Sequence, residues 1–206
     1  MTGALFSIRP FWVFKIVLEE KLWEIRKKKP KLKPPFKCFI YMTKNGSKIA
    51  ISKENYAEEM RVAKLLSYGC GKVVGEFVCD KIQTIFYYSD ILYSYKCPND
   101  YMDKMCKETG LTLDNLKKYA NGDDIYALHV SNLKIYDKPK EIFEFKKPCI
   151  DKYNYCQACK YGNISIPDDE QEYALYHGGN YTQFEEVCTN YLKKAPQSMC
   201  YVEDCV

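Results

Sequence analysis

Hydrophobic and polar positions change period several times along the chain, and each change marks an element. Leu5-Phe6-Ser7-Ile8 is a short β-type run closed by Arg9-Pro10, and proline suits the first turn of a helix, where a missing N–H costs nothing. From Phe11 to Glu20 the apolar residues Phe11, Phe14, Val17 and Leu18 recur at helical spacing. A strand is expected from Leu22 to Lys27, with Trp23 and Ile25 turned to the core and Glu24 and Arg26 on the more polar side. Lysines and prolines then crowd residues 27–35, which predicts an extended, exposed loop. Phe36 to Met42 reads as a strand, and Ser52 to Leu66 as a helix capped by Ser52 with a stripe of Tyr56, Met60, Ala63 and Leu66. A β-rich stretch from Lys72 continues to about Tyr87. Residues 99–121 predict one or two short helices, with Thr112 before Leu113, Leu116 and Tyr119 and a stop at Asn121-Gly122. A last strand runs from Ile125 to Tyr136, ended by Asp137-Lys138-Pro139.

Strands that alternate irregularly with helices, without a βαβ rhythm, favour a mixed sheet or small barrel over a doubly wound fold. No glycine-rich phosphate loop is present, so nucleotide hydrolysis has no visible machinery. The 206 residues suffice for one substantial core and a small appendage. No uncharged apolar run approaches the roughly 20 residues that span a bilayer, and the N-terminus lacks the pattern of a signal peptide. A cytoplasmic chain without a membrane partner is expected.

Charge adds a direction to this picture. Residues 1–75 carry a net +10, residues 76–147 a net −1 and residues 148–206 a net −5. A basic N-terminal third suits a polyanion, because lysines set against phosphates release counterions. It equally suits a surface that lysines merely keep soluble.

The chain has 11 cysteines, an odd number that argues against a complete disulfide framework. Cys38, Cys70, Cys79, Cys97 and Cys106 are scattered among apolar or loop positions and are expected to be buried free thiols. The other six are Cys149, Cys156, Cys159, Cys188, Cys200 and Cys205. Cys156-Gln157-Ala158-Cys159 is a CxxC, tight enough for two thiolates to reach one metal. A structural Zn2+ held by Cys156, Cys159, Cys188 and Cys200 is the resulting expectation; Cys205 is an alternative fourth ligand, and free thiols or a redox pair are alternatives to metal.

Three segments together resemble the ASCH family of the PUA-like superfamily, in its phage and bacterial form. The first is Leu5-Phe6-Ser7-Ile8-Arg9-Pro10 with Lys21-Leu22-Trp23-Glu24-Ile25-Arg26, which matches the family's Gly-x-Lys-x-x-Glu-x-Arg except that Glu19 replaces the glycine. The second is Gly71-Lys72-Val73-Val74-Gly75-Glu76-Phe77. The third is Tyr126-Ala127-Leu128-His129-Val130-Ser131 with Ile135-Tyr136-Asp137-Lys138-Pro139. Ala195-Pro196-Gln197-Ser198-Met199-Cys200-Tyr201-Val202 also resembles the end of phage-type members, which implies that the tail returns to the domain as an added strand.

The resemblance implies an α+β fold: a PUA-like mixed β-barrel flanked by helices over residues 1–147, with a Cys-rich acidic extension at 148–206. It also implies a cleft for RNA or a modified nucleoside, to which Lys21, Glu24, Arg26 and Glu76 would contribute and His129 would add a donor; Ser131 is a weaker candidate. Arg26 would offer a planar fork and Lys21 a mobile charge, with Glu24 and Glu76 holding the cations or accepting from a base. Similar small proteins deacylate acetylated cytidine with a Lys, a Thr and a Glu. Lys21 and Glu76 match the first and last, but Glu24 stands where the Thr belongs and cannot serve as a hydroxyl nucleophile. Binding is therefore the first expectation. An amidohydrolase on an acylated pyrimidine nucleoside is the second, and an interaction module with a vestigial cleft the third.

Overall fold

The computed structural model describes residues 2–44, 56–94, 100–148 and 191–203. They form an α+β fold of nine strands in two sheets, with four α-helices and a 3-10 turn at Ile142–Glu144. The strands are β1 (Thr2–Ile8), β2 (Trp23–Arg26), β3 (Phe36–Met42), β4 (Val73–Cys79), β5 (Ile82–Tyr88), β6 (Ile91–Tyr93), β7 (Ile125–His129), β8 (Ser131–Lys140) and β9 (Met199–Glu203). The helices are α1 (Pro10–Val17), α2 (Tyr56–Leu66), α3 (Asp100–Thr109) and α4 (Leu113–Ala120).

One sheet has the order β8-β4-β3-β1-β9 and the other β2-β7-β5-β6. The expected barrel is thus two mixed or antiparallel sheets, with no closed ring among the described residues. β1 and β3 are parallel, with Phe6 opposite Ile40, because α1 and the lysine loop carry the chain back to the same end. β9 pairs antiparallel with β1, placing Leu5 opposite Cys200, so the tail returns as an added edge strand.

Each face of the five-stranded sheet buries its own apolar set. Ala4, Phe6, Ile40, Val74 and Phe77 pack with Val13, Phe14 and Ile16 of α1, Val62 and Leu66 of α2, and Leu128 of β7. Leu5, Phe39, Val73 and Val202 turn the other way, against Phe145 and Leu192. The far face of the four-stranded sheet, with Trp23, Ile25, Ile85 and Ala127, is covered by Met105 of α3 and Leu116 of α4. No helix among the described residues is long and apolar enough to cross a membrane.

Several boundaries differ from those read in the sequence. α1 stops at Val17 rather than Glu20, because the backbone turns left-handed at Glu19 (φ 58°). In α2, Tyr56 and Met60 are exposed, while Glu59, Val62 and Leu66 are buried. The packed stripe is therefore rotated from the expected one, because a carboxylate occupies a core-facing turn. The stretches 72–87 and 125–136 each break into two strands, β4 with β5 and β7 with β8. Of the scattered cysteines, Cys38 and Cys79 are buried, Cys106 is partly so and Cys70 is exposed; Cys97 lies outside the described residues.

Candidate functional site

β2 has only four residues, and all four are buried. This corrects the polar side expected for Glu24 and Arg26. Alternation sends Trp23 and Ile25 toward α3 and α4. Glu24 pairs with Leu128, a residue of the core between the sheets, and Arg26 lies on the same side with its Cζ 4.9 Å above the Phe6 ring. Lys21, just before the strand, is also buried, with its ammonium 5.1 Å from the Trp12 ring.

Glu24 is the hub of this cluster. Its Oε1 is 2.9 Å from Arg26 Nη2, and its Oε2 is 3.7 Å from Lys21 Nζ. Lys21 Nζ also donates to the carbonyls of Trp23 (2.7 Å) and Thr109 (3.4 Å). Arg26 Nη2 donates to Ser7 O (3.1 Å), and Nη1 donates to Ser198 O (3.3 Å) and Ser198 Oγ (3.2 Å). Arg26 Nε is buried with no hydrogen-bond partner. Two cations thus share one carboxylate. Burial pushes the Lys21 ammonium below its ordinary value; Glu24 pulls it back up and Arg26 adds to the depression.

Glu76 stands elsewhere. It pairs with Phe39 on the outer face of the five-stranded sheet, while its neighbour Phe77 points inward and stacks on Phe6 at 6.5 Å. There Glu76 accepts from Tyr136 Oη at 2.6 Å and lies 3.6 Å from Lys37 Nζ. The structure therefore brings Lys21, Glu24 and Arg26 together and sets Glu76 apart from them, across the sheet.

His129 pairs with Trp23 across β2 and β7, and their rings lie 4.8 Å apart. Its Nδ1 is 2.7 Å from Asp80 Oδ1, and Lys81 lies 5.5 Å from the Trp23 ring. With Trp23 buried, His129 partly exposed and Asp80 exposed, this group occupies the opposite face of β2 from Glu24. Ser131 Oγ is spent on Val78 O at 2.8 Å.

The loop that leaves Arg26 carries Lys27, Lys28, Lys29, Lys31 and Lys33, all exposed. Lys27 lies 5.5 Å from the ring of Tyr119, which is 38% exposed and donates through its Oη to Ile25 O at 3.4 Å. Ser7, Trp12, Tyr119 and Ser198 are the site's neighbours that sequence reasoning missed. Ser198 lay in a recognised segment, but no sequence signal ties a tail hydroxyl to an arginine 172 residues away.

Among the described residues no three His, Cys, Asp or Glu side chains are grouped to hold a metal. Cys156, Cys159 and Cys188 lie outside the described residues, as do Cys149 and Cys205. Cys200 is half-buried in β9, and burial pushes its thiol up to about 11.

No family profile matches the chain, and no curated protein matches it. Among solved structures it is similar to ASCH from Zymomonas mobilis, at 15% identity and a TM-score of 0.44 over 68% of this chain and 73% of that one. A tyrosine-to-phenylalanine mutant of that protein gives 14% and 0.43, over 68% and 76% of the two chains. A serine-to-alanine mutant gives 14% and 0.44, over 98% and 89%.

Proposed function

We propose that the chain binds RNA or a modified nucleoside at the Lys21–Glu24–Arg26 cluster and the lysine loop rooted in it. The carrying observation is one of charge: a buried cluster with one carboxylate for two cations, continued directly by five exposed lysines. An excess of buried positive charge is costly until an anion offsets it, and the loop supplies the surface along which a phosphate backbone would run. Tyr119 beside Lys27 gives an unpaired base a ring to stack on, as readers of single-stranded RNA require. His129 and Glu76 fall outside this surface. The cytoplasm and a structural zinc on Cys156, Cys159, Cys188 and Cys200 belong to the same reading; metal analysis of the purified chain tests the zinc.

Fluorescence anisotropy of a labelled single-stranded RNA across a salt series tests the binding. Each lysine–phosphate contact contributes about 0.7 to the slope of log K against log salt for single strands. Replacing Lys27, Lys28 and Lys29 with Gln is expected to flatten the slope by about two. An unchanged slope, or no affinity for RNA or any nucleoside, overturns the reading and leaves a protein-interaction module.

The depressed Lys21 ammonium favours a second reading, deacylation of an acylated pyrimidine nucleoside with Lys21 as the base. Glu76 is across the sheet, so Glu24 would be the carboxylate partner. Turnover of acetylated cytidine that disappears in Lys21→Ala would establish it; absence of turnover leaves binding alone.

A further inference from the structure

We propose that the C-terminal segment Pro196–Ser198, carried by β9, is an internal competitor for the Arg26 donor site, so that docking of this segment and binding of an anionic ligand exclude one another. The inference rests on the binding reading above and adds its regulation.

Four hydrogen bonds hold the segment in place. Arg26 Nη1 donates to Ser198 O and Ser198 Oγ, Ser7 N donates to Ser198 O at 2.9 Å, and Ser7 Oγ donates to Pro196 O at 2.5 Å. The two contacts to Arg26, at 3.3 and 3.2 Å, are long and involve neutral acceptors; the guanidinium reaches its carboxylate partner at 2.9 Å. A charged oxygen makes a shorter and roughly twice stronger bond to a guanidinium than a neutral one. The segment is thus a weaker occupant than a phosphate would be, and the Nε that finds no acceptor shows that it leaves the guanidinium incompletely used.

The same tail also ties down the lysine loop, because the backbone N–H of Lys31 donates to Tyr201 Oη at 2.6 Å. Undocking would therefore free Arg26 and the loop in one movement. The topology permits it. β9 is an edge strand whose one neighbour in the sheet is β1, and outside the sheet its backbone is tied by Glu203 N–H to Lys146 O at 2.9 Å, so its departure leaves the β8-β4-β3-β1 pairing intact. Its main apolar anchor is Val202, buried against Leu5 and Phe39, while Met199, Cys200 and Tyr201 are only partly buried.

Apparent affinity falls by the fraction of molecules open to ligand, so a cover closed nine-tenths of the time weakens binding about tenfold. Two full-length variants move that fraction in opposite directions without touching the cluster or the lysines. Val202→Ala loosens β9. Thr2→Cys with Glu203→Cys places thiols on paired residues of β1 and β9, and mild oxidation, checked by mass spectrometry, locks the strand. With the single-stranded RNA probe, Val202→Ala is expected to bind several-fold tighter than wild type. The oxidised lock is expected to bind several-fold weaker, with recovery on reduction. Equal affinity for wild type and the oxidised lock overturns the competitor, as does weaker binding by a folded Val202→Ala. If wild type binds RNA and the lock changes nothing, only this inference fails. If neither wild type nor Val202→Ala binds, the binding reading fails with it.

Discussion

Replacing Glu24 with Gln tests whether the buried cluster is a single electrostatic unit. The substitution keeps shape and removes one charge, leaving Lys21 and Arg26 as two buried cations without a counter-ion. Removing one partner of a buried pair costs about 3–5 kcal/mol. Three features place this case at the lower end, near about 3 kcal/mol. Lys21 keeps its bonds to Trp23 O and Thr109 O, Arg26 keeps its bonds to Ser7 O and Ser198, and the Gln carbonyl still accepts one donor. Lys21 also sheds its charge more readily once Glu24 no longer holds its proton. That last point fixes a pH dependence. The folded ammonium lies below its unfolded value of 10.5, so between the two values the unfolded chain binds more protons and stability rises with pH. The window widens in Glu24→Gln, and its deficit shrinks toward alkaline pH. Urea denaturation of wild type, Glu24→Gln, Lys21→Met and the double variant measures all of this. Lys21→Met leaves the neutral Glu24–Arg26 pair, so it is expected to cost no more than about 1 kcal/mol, as apolar replacements within buried ion clusters often do. In its background Glu24→Gln strands only one cation and should cost less, with a coupling of about 1–3 kcal/mol. A cost of Glu24→Gln that is the same with and without Lys21 would refute the shared hub.

Two further expectations concern the frame that carries the site. A methyl group at Gly75 would stand 2.5 Å from the backbone carbonyl of Lys134 and 2.9 Å from Ile135 Cδ1. Gly75→Ala should therefore force β4 and β8 apart at a cost of about 1–3 kcal/mol, seen as faster amide exchange in both strands and not in β7. Thr112 caps α4 by accepting from the backbone N–H of Asn115 at 3.2 Å, and Thr112→Ala should cost about 1 kcal/mol in the same denaturation assay.

Local chemistry explains what was legible in the sequence. β3 and the Thr112 and Asn121 ends of α4 were readable because a run of apolar residues, a capping hydroxyl and a left-handed stop act within a few residues. Glu59 was hidden because periodicity treats a carboxylate as solvent-facing, whereas the fold turns it inward. Glu24 and Arg26 failed for the same reason: their alternation with Trp23 and Ile25 was read correctly, but a strand between two cores has no polar side. Glu76 was grouped with Lys21 through resemblance, yet its parity with Phe77 already set the two residues on opposite faces. What the sequence lacked was which face of β4 meets β2. The metal expectation turns mainly on residues outside the described chain, with Cys200 alone inside it.

Placing charges at the joint between the sheets also has a structural logic. β2 is an edge strand, and inward-pointing charges are one means by which edges avoid pairing with another chain. β2 is not bonded to β1, so the donation from Arg26 Nη2 to Ser7 O is a direct polar tie from the four-stranded sheet to the five-stranded one. An apolar side chain over Phe6 would fill the space without fixing that geometry. The guanidinium does so and still keeps one donor, Nε, unused, with Nη1 capped by Ser198. Architecture therefore consumes the Glu24 and Ser7 side of Arg26, and the proposed ligand would be left with the side that the C-terminal segment occupies. Stability should consequently follow Glu24, and affinity should follow the tail.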